Sequence, residues 1–457
     1  QQTCFFWPFL LSPGCNSRTV ICEATVAIDA RHGRYAPYIM YAYVLLALAG
    51  LIYPAGGKPA CVPHVRQNFT ELARASGLGA HEYEVQTDDY YFLKLFRIPG
   101  AGPPVLLMHG IFDSADTFAI RGNGSLAAHL ARRGYDVWVG NARGSWYSRR
   151  HLYLDPDRDD EFWDYSFHEI GVSDLPAMID FVLEKTGRPR LSAVGHSQGN
   201  TIFYVLGAMR PEYNAKIDVM IALSPVCFLN NLSRAVSIMT EAFPLISEFL
   251  AVAGREEVFG EGSVARVLYE EVCGCRRGYD VCARRLYFPI AGADPHELGP
   301  DFFHTVVRHY PTSTSRKNLL HSALLSLRKS FSQYDYGPLN LDLYNSTRPP
   351  RYELRNVAMP IALLVGRNDG LSAVKDVEAL RDSLPNVVEY VVLPHKQFNH
   401  TPRPSVLPTP SAVRSSRPRQ RDSCVVLSPP SSCLQRRNAA NNLPQLIWKE
   451  QTHCYHP

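Results

Sequence analysis

The pentapeptide Gly195-His196-Ser197-Gln198-Gly199 restricts this chain more than any other stretch of it. A serine between two such glycines fits a turn from strand to helix that is too sharp for side chains at either flanking position, and it lifts the serine hydroxyl above the end of the strand. The five residues alone recur by chance, so their surroundings decide. Leu191–Val194 is a short apolar run of strand type before the motif, and Asn200–Met209 has the length and apolar content of a helix after it. Strand, serine turn and helix therefore occur in the order that the motif demands.

The same rhythm continues on both sides. Val105–Met108, Tyr135–Val139 and Val219–Leu223 read as buried strands, with helical spacing in Ser125–Arg133 and Pro176–Glu184. After about residue 226 the pattern becomes irregular and mostly helical for some 120 residues. It resumes with a strand at Ile361–Val365, a helix at Lys375–Ser383 and a strand at Val387–Val392. Strands alternating with helices at this pitch predict a mostly parallel sheet covered by helices on both faces. With the serine turn, the expected architecture is the α/β-hydrolase fold. Its core would comprise residues 60–225 and 348–400, with a mainly helical cap inserted at 226–347.

Serine is a weak nucleophile at its free pKa and needs an imidazole to take its proton and a carboxylate to orient that imidazole. In this fold they follow in the order Ser, acid, His. Asp369 sits in the loop after the strand Ile361–Val365, and His400 follows Val387–Val392 through the loop Pro394–Asn399, with His395 as a competitor five residues upstream. His109-Gly110-Ile111 follows the first buried strand and fits the turn that supplies an oxyanion-binding amide at Ile111; the second amide would come from Gln198. Such chemistry calls for no metal or organic cofactor.

Composition limits the alternatives. The formal charge of +4 suggests an anionic partner, but the ends carry eleven of the 47 basic and only four of the 43 acidic residues, so residues 40–400 are net −3. That leaves no basic stripe for nucleic acid in the body of the chain. Tyr38–Tyr53 is a single apolar run, short for a membrane span and followed by Pro-Ala-Gly-Gly. Residues 40–57 are therefore expected to be a signal peptide beginning at Met40, with residues 1–39 upstream sequence. Residues 401–457 are rich in Pro, Ser and Arg without periodicity and read as a disordered, aberrant tail. A secretory route would make the sequons at Asn68, Asn123, Asn231 and Asn345 glycosylation sites. No cysteine spacing makes a zinc site.

Several stretches together resemble the acid lipase family of neutral-lipid hydrolases, which includes gastric, lysosomal and insect digestive lipases. They are His81–Val85 with Tyr90–Pro99, His109–Phe118, Gly134–Arg143, Phe162–Asp180, Gly195–Asn200, Pro349–Asp369 and Phe398-Asn399-His400. The run Gly140-Asn141-Ala142-Arg143-Gly144 is the most family-specific of the motifs. The resemblance implies Ser197, Asp369 and His400 as nucleophile, acid and base, and Ile111 and Gln198 as oxyanion donors. It also implies a cap disulfide between Cys273 and Cys282, although Cys275 is an additional thiol close by. It further implies a secreted or lysosomal enzyme that hydrolyses triacylglycerol or sterol ester at a droplet or micelle surface through an acyl-enzyme, with no stable transmembrane anchor and no nucleic-acid partner. Two departures stand out. The likeness stops at His400, and Ala323-Leu324 lie where the family often has a glutamine shortly after the position of His321. The rival readings are a carboxylesterase for small soluble esters, an impaired, lipid-binding homologue, and a membrane-anchored form that retains Tyr38–Tyr53.

Overall fold

A computed structural model describes residues 66–275 and 277–401, all within the unit Pro59–Pro457. The expectations for residues 1–39, 40–57 and 402–457 lie outside the described residues. Helix α1 (Phe69–Ala75) opens with a capping box, in which Asn68 accepts from the amide of Glu71 while the Glu71 carboxylate accepts from the amide of Asn68. Then come strands β1 (His81–Gln86), β2 (Phe92–Ile98) and β3 (Pro104–Met108), helix α2 (Leu126–Arg132), β4 (Asp136–Gly140), helix α3 (Leu175–Thr186), β5 (Leu191–His196), helix α4 (Gln198–Met209) and β6 (Ile217–Leu223). After a long helical segment, β9 (Ile361–Gly366), helix α9 (Val374–Ser383) and β10 (Val387–Leu393) complete the sheet.

The eight strands lie in the order β1-β2-β4-β3-β5-β6-β9-β10. The β1–β2 and β2–β4 pairs are antiparallel, and the other five are parallel. Strand period decides which side chain goes to which face. Leu106 and Met108 of β3, Trp138 of β4 and Ala193 of β5 enter one core with α3 and α4. Val105, Leu107, Val137, Val139 and Val194 enter the opposite core with α1 and α2. Both faces are covered, and β3, β4, β5 and β9 are buried along their whole length, as expected of parallel strands between helical layers.

Between β6 and β9 the chain forms helices α5 (Arg234–Val252), α6 (Val264–Cys273), α7 (Pro300–His309) and α8 (Arg316–Arg328). Two-residue strands β7 (Glu257–Val258) and β8 (Thr314–Ser315) pair with each other. A disulfide joins Cys273 to Cys282 across a sequence separation of nine. Cys275 takes no part in it. The side chains of Asn68, Asn123, Asn231 and Asn345 lie at the surface.

Candidate active site

The glycines of the pentapeptide meet what the turn demands. A Cβ on Gly195 would stand 2.6 Å from Oδ1 of Asn200, and one on Gly199 would run into the carbonyl oxygens of Met108 and His109. Ser197 is held at φ 54°, ψ −121°, a backbone state that a non-glycine residue adopts only when its surroundings enforce it. β5 therefore ends one residue before Ser197, and α4 begins one residue after it.

Asp369 and His400 come from the loops that follow β9 and β10, and the structure brings both to Ser197. Nδ1 of His400 lies 2.9 and 3.0 Å from the two carboxylate oxygens of Asp369, and Nε2 lies 2.7 Å from the Ser197 hydroxyl. A carboxylate only accepts, so Nδ1 carries the ring proton and Nε2 is left to accept from the serine. Asp369 is fixed in turn by the amides of Leu371 (2.9 Å) and Ser372 (2.7 Å), which donate to its Oδ1. All three residues are buried. The competitor His395 is exposed and forms no part of this cluster.

Beside the serine is a small pocket that Ile111 and Gln198 line together with Gly110, Asp113, Arg143 and Asn318. Gln198 is the first residue of α4, so its N–H has no intrahelical acceptor, and the positive end of the helix faces the same region. Gly110 packs closely enough that a Cβ there would lie 3.0 Å from Cβ of Ser197. The ring of His109 ties this loop down. Nδ1 lies 2.8 Å from the carbonyl of Gly110, and Nε2 accepts from the amide of Ala142 at 3.1 Å. Burial lowers the His109 ring to about 4, which keeps it neutral, and burial also pushes the Asp113 carboxyl up to about 7.

The helical segment is stitched to this loop. The Thr312 amide donates to the carbonyl of Phe112 (2.7 Å), the Thr312 hydroxyl to that of Asp113 (2.9 Å), and the Ser313 hydroxyl to that of Gly144 (2.7 Å). Asn318 of α8 forms a reciprocal amide pair with the side chain of Gln198, at 3.1 and 3.0 Å. Sequence reasoning missed Thr312, Ser313 and Asn318 and the buried Asp113 carboxyl, and it placed His109 only within the turn that leads to Ile111. His196 and Gln198 at least stood inside the motif. Asn318 carried no signal, since its partner lies 120 residues away.

Chemically, the cluster can withdraw a proton from a serine hydroxyl beside a pocket lined by Ile111 and Gln198. This geometry at the carboxyl edge of a mostly parallel sheet defines the class of α/β-hydrolases. Residues 103–245 match the family described as alpha/beta hydrolase fold, and residues 69–122 match the one described as partial alpha/beta-hydrolase lipase region. The chain is 39% identical to Lipase 1 of Drosophila melanogaster over 349 residues, covering 74% of this chain and 76% of that one. It is 34% identical to human Lipase member K (74% and 86% covered) and 35% identical to mouse gastric triacylglycerol lipase (74% and 87% covered). The chain thus belongs to the α/β-hydrolase lipase family, and it is a carboxylic ester hydrolase acting on lipid esters.

Proposed function

We propose that Ser197 is the nucleophile of a two-step acyl transfer, with His400 as its base and Asp369 orienting the imidazole. The observation that carries this is the chain of contacts from Asp369 through His400 to the Ser197 hydroxyl, 2.9 and 2.7 Å long. Ser197 Oγ attacks the ester carbonyl carbon as its proton passes to Nε2 of His400. The amides of Ile111 and Gln198 take the developing oxyanion, which is worth about 3 kcal/mol per donor. The C–O bond breaks, and His400 returns the proton to the departing alcohol. Water then repeats the sequence on the acyl-enzyme and releases the fatty acid.

Triacylglycerol or sterol ester is the substrate that the surroundings favour, because all three relatives named above are called lipases, one of them a triacylglycerol lipase, and because of the surface that α5 presents. Ile238, Met239, Leu245, Ile246, Phe249 and Val252 are exposed along this one helix, Phe249 at 65% and Val252 at 86%. So large an apolar face suits adsorption to a droplet or micelle better than freely dissolved substrate. On this reading the segment 226–347 is a cap over the site, and the enzyme works in the secretory pathway or beyond it, where the four surface sequons would be glycosylated.

A fluorophosphonate probe should label the wild-type protein and leave Ser197→Ala unlabelled. Emulsified long-chain triacylglycerol should be cleaved in preference to a soluble short-chain ester, and Phe249→Asp should depress the former selectively. Labelling of Ser197→Ala would remove the nucleophile assignment. Preference for the soluble ester would return the assignment to a small-ester carboxylesterase.

A further inference from the structure

His400 meets Ser197 only while its own main chain stays in place, and that main chain is held at both of its polar atoms. Its N–H donates to the carbonyl of Ala291 at 2.9 Å. Its carbonyl accepts from Nε2 of His196 at 2.8 Å. His196 is the last residue of β5 and the immediate neighbour of Ser197. One end of the pentapeptide thus grips the backbone of the residue that the next position along must reach with its hydroxyl.

The state of the His196 ring follows from its surroundings. A carbonyl oxygen only accepts, so Nε2 bears the proton. Burial, reinforced by the neighbouring His400, lowers the ring to about 3, so it stays neutral. Nδ1 is then a lone pair, buried and without a hydrogen-bond partner among the described residues. The two imidazoles lie 5.3 Å apart and tilted by 50°, so they do not stack face to face. A buried imidazole with one unsatisfied nitrogen weakens the folded state, and an aliphatic side chain of similar size would not. The bond to the His400 carbonyl is the one polar interaction that this ring makes in the described structure.

We infer that His196 is a positioning residue for the reaction: it acts through the His400 backbone, holding the base at bonding distance from the nucleophile, and it touches neither substrate nor the reacting atoms. The inference rests on the proposed roles of Ser197, His400 and Asp369. The position of a catalytic group matters steeply, since a displacement of about 1 Å can cost about a hundredfold in rate.

The test measures kcat, KM, the rate of fluorophosphonate labelling and Tm for His196→Leu, His196→Gln and His196→Asn in the full chain. Gln carries its amide nitrogen to the reach of Nε2, whereas Asn stops short of it. His196→Leu is expected to lower kcat and the labelling rate together by about a hundredfold with KM and Tm nearly unchanged. His196→Gln should recover most of that loss, and His196→Asn should not. If the leucine variant does not fold, the Gln–Asn contrast decides alone. Wild-type kcat in the leucine or asparagine variant overturns the inference, and so does an equal loss in all three variants accompanied by a lowered Tm. Ser197→Ala and His400→Ala run in parallel: an active His400→Ala defeats the relay itself, whereas two inactive controls beside a fully active His196→Leu defeat only the positioning role.

Discussion

Nδ1 of His309, at the end of α7, lies 2.8 Å from a carboxylate oxygen of Asp116, and both residues are buried. Asp116 belongs to the short helical turn Ala115–Phe118 just beyond the loop that carries Ile111. Its other oxygen accepts from the Tyr147 hydroxyl at 2.7 Å, and that hydroxyl accepts from the amide of Phe69. One carboxylate therefore ties the helical segment, the sheet core and α1 together.

Replacing Asp116 with Ala leaves the buried His309 ring and the half-buried Tyr147 hydroxyl without their shared acceptor. Each orphaned group costs about 1–3 kcal/mol, so a loss of roughly 3 kcal/mol is expected in urea unfolding. Asp116→Asn keeps one carbonyl oxygen and should lose about half as much. Wild-type stability in the alanine variant would contradict this account.

Arg143 makes a second buried tie, donating to Asp174 at 2.7 Å and to Asp89 at 2.6 and 2.9 Å. Asp174 is fully buried, and desolvation pushes it up to about 6 although the charge of Arg143 opposes that shift. A carboxyl with a raised folded pKa contributes stability below its unfolded value near 4 and loses it as pH rises through 6. Arg143→Met removes the opposing charge, so it should destabilise by about 3–5 kcal/mol at pH 8 and by clearly less at pH 5. Equal losses at the two pH values would contradict the assignment.

Asp113 offers a cleaner pH signature. Burial raises its carboxyl to about 7, so the folded state holds this proton between about pH 4 and pH 7 while the unfolded chain releases it. Its contribution is complete below pH 4 and lost as pH rises through 7. The difference in unfolding free energy between wild type and Asp113→Asn should therefore change across that window, on the order of 1.4 kcal/mol per pH unit, and level off above it. The variant gains relative to wild type as pH rises.

Gly199→Ala tests the elbow itself. The added methyl runs into the Met108 and His109 carbonyls, both backbone groups that have little room to move. The variant is expected to lose fluorophosphonate labelling and at least about a hundredfold in kcat, with a lowered Tm. Gly187→Ala is the contrast: that position has φ 62° but nothing within 4 Å, so it should cost about 1 kcal/mol and leave kcat unchanged.

The central sheet was legible because its strands are buried on both faces and therefore appear as short apolar runs between turns. Val105–Met108, Leu191–Val194 and Ile361–Val365 each lie within an observed strand. β1 gave no such signal. His81, Glu82, Glu84 and Gln86 face solvent on the sheet's edge, so its polarity hid a strand that pairs along its full length with β2. Helices α2, α3, α4 and α9 fell within one or two residues of their expected spans. In the site, Ser197, Asp369 and His400 could be found because each follows a strand end in a fixed order. The bonds that hold them in register could not, because His196 to His400 spans 204 residues and Gln198 to Asn318 spans 120. Residue type and local spacing carry no record of such distant partners. The turn of π-helix at Ile170–Asp174 was hidden for another reason, since it continues directly into α3 and shares its apolar pattern.

The bonds from Thr312, Ser313 and Asn318 to the loops at Phe112, Asp113, Gly144 and Gln198 make the helical segment and the surroundings of Ser197 a single unit rather than two modules. A chimera that receives its helical region from another lipase would fit this scaffold only if the donor brought those three hydroxyl and amide groups at the same register. Substrate range in such enzymes would then evolve by substitutions inside the helices sooner than by exchange of the helices as a block.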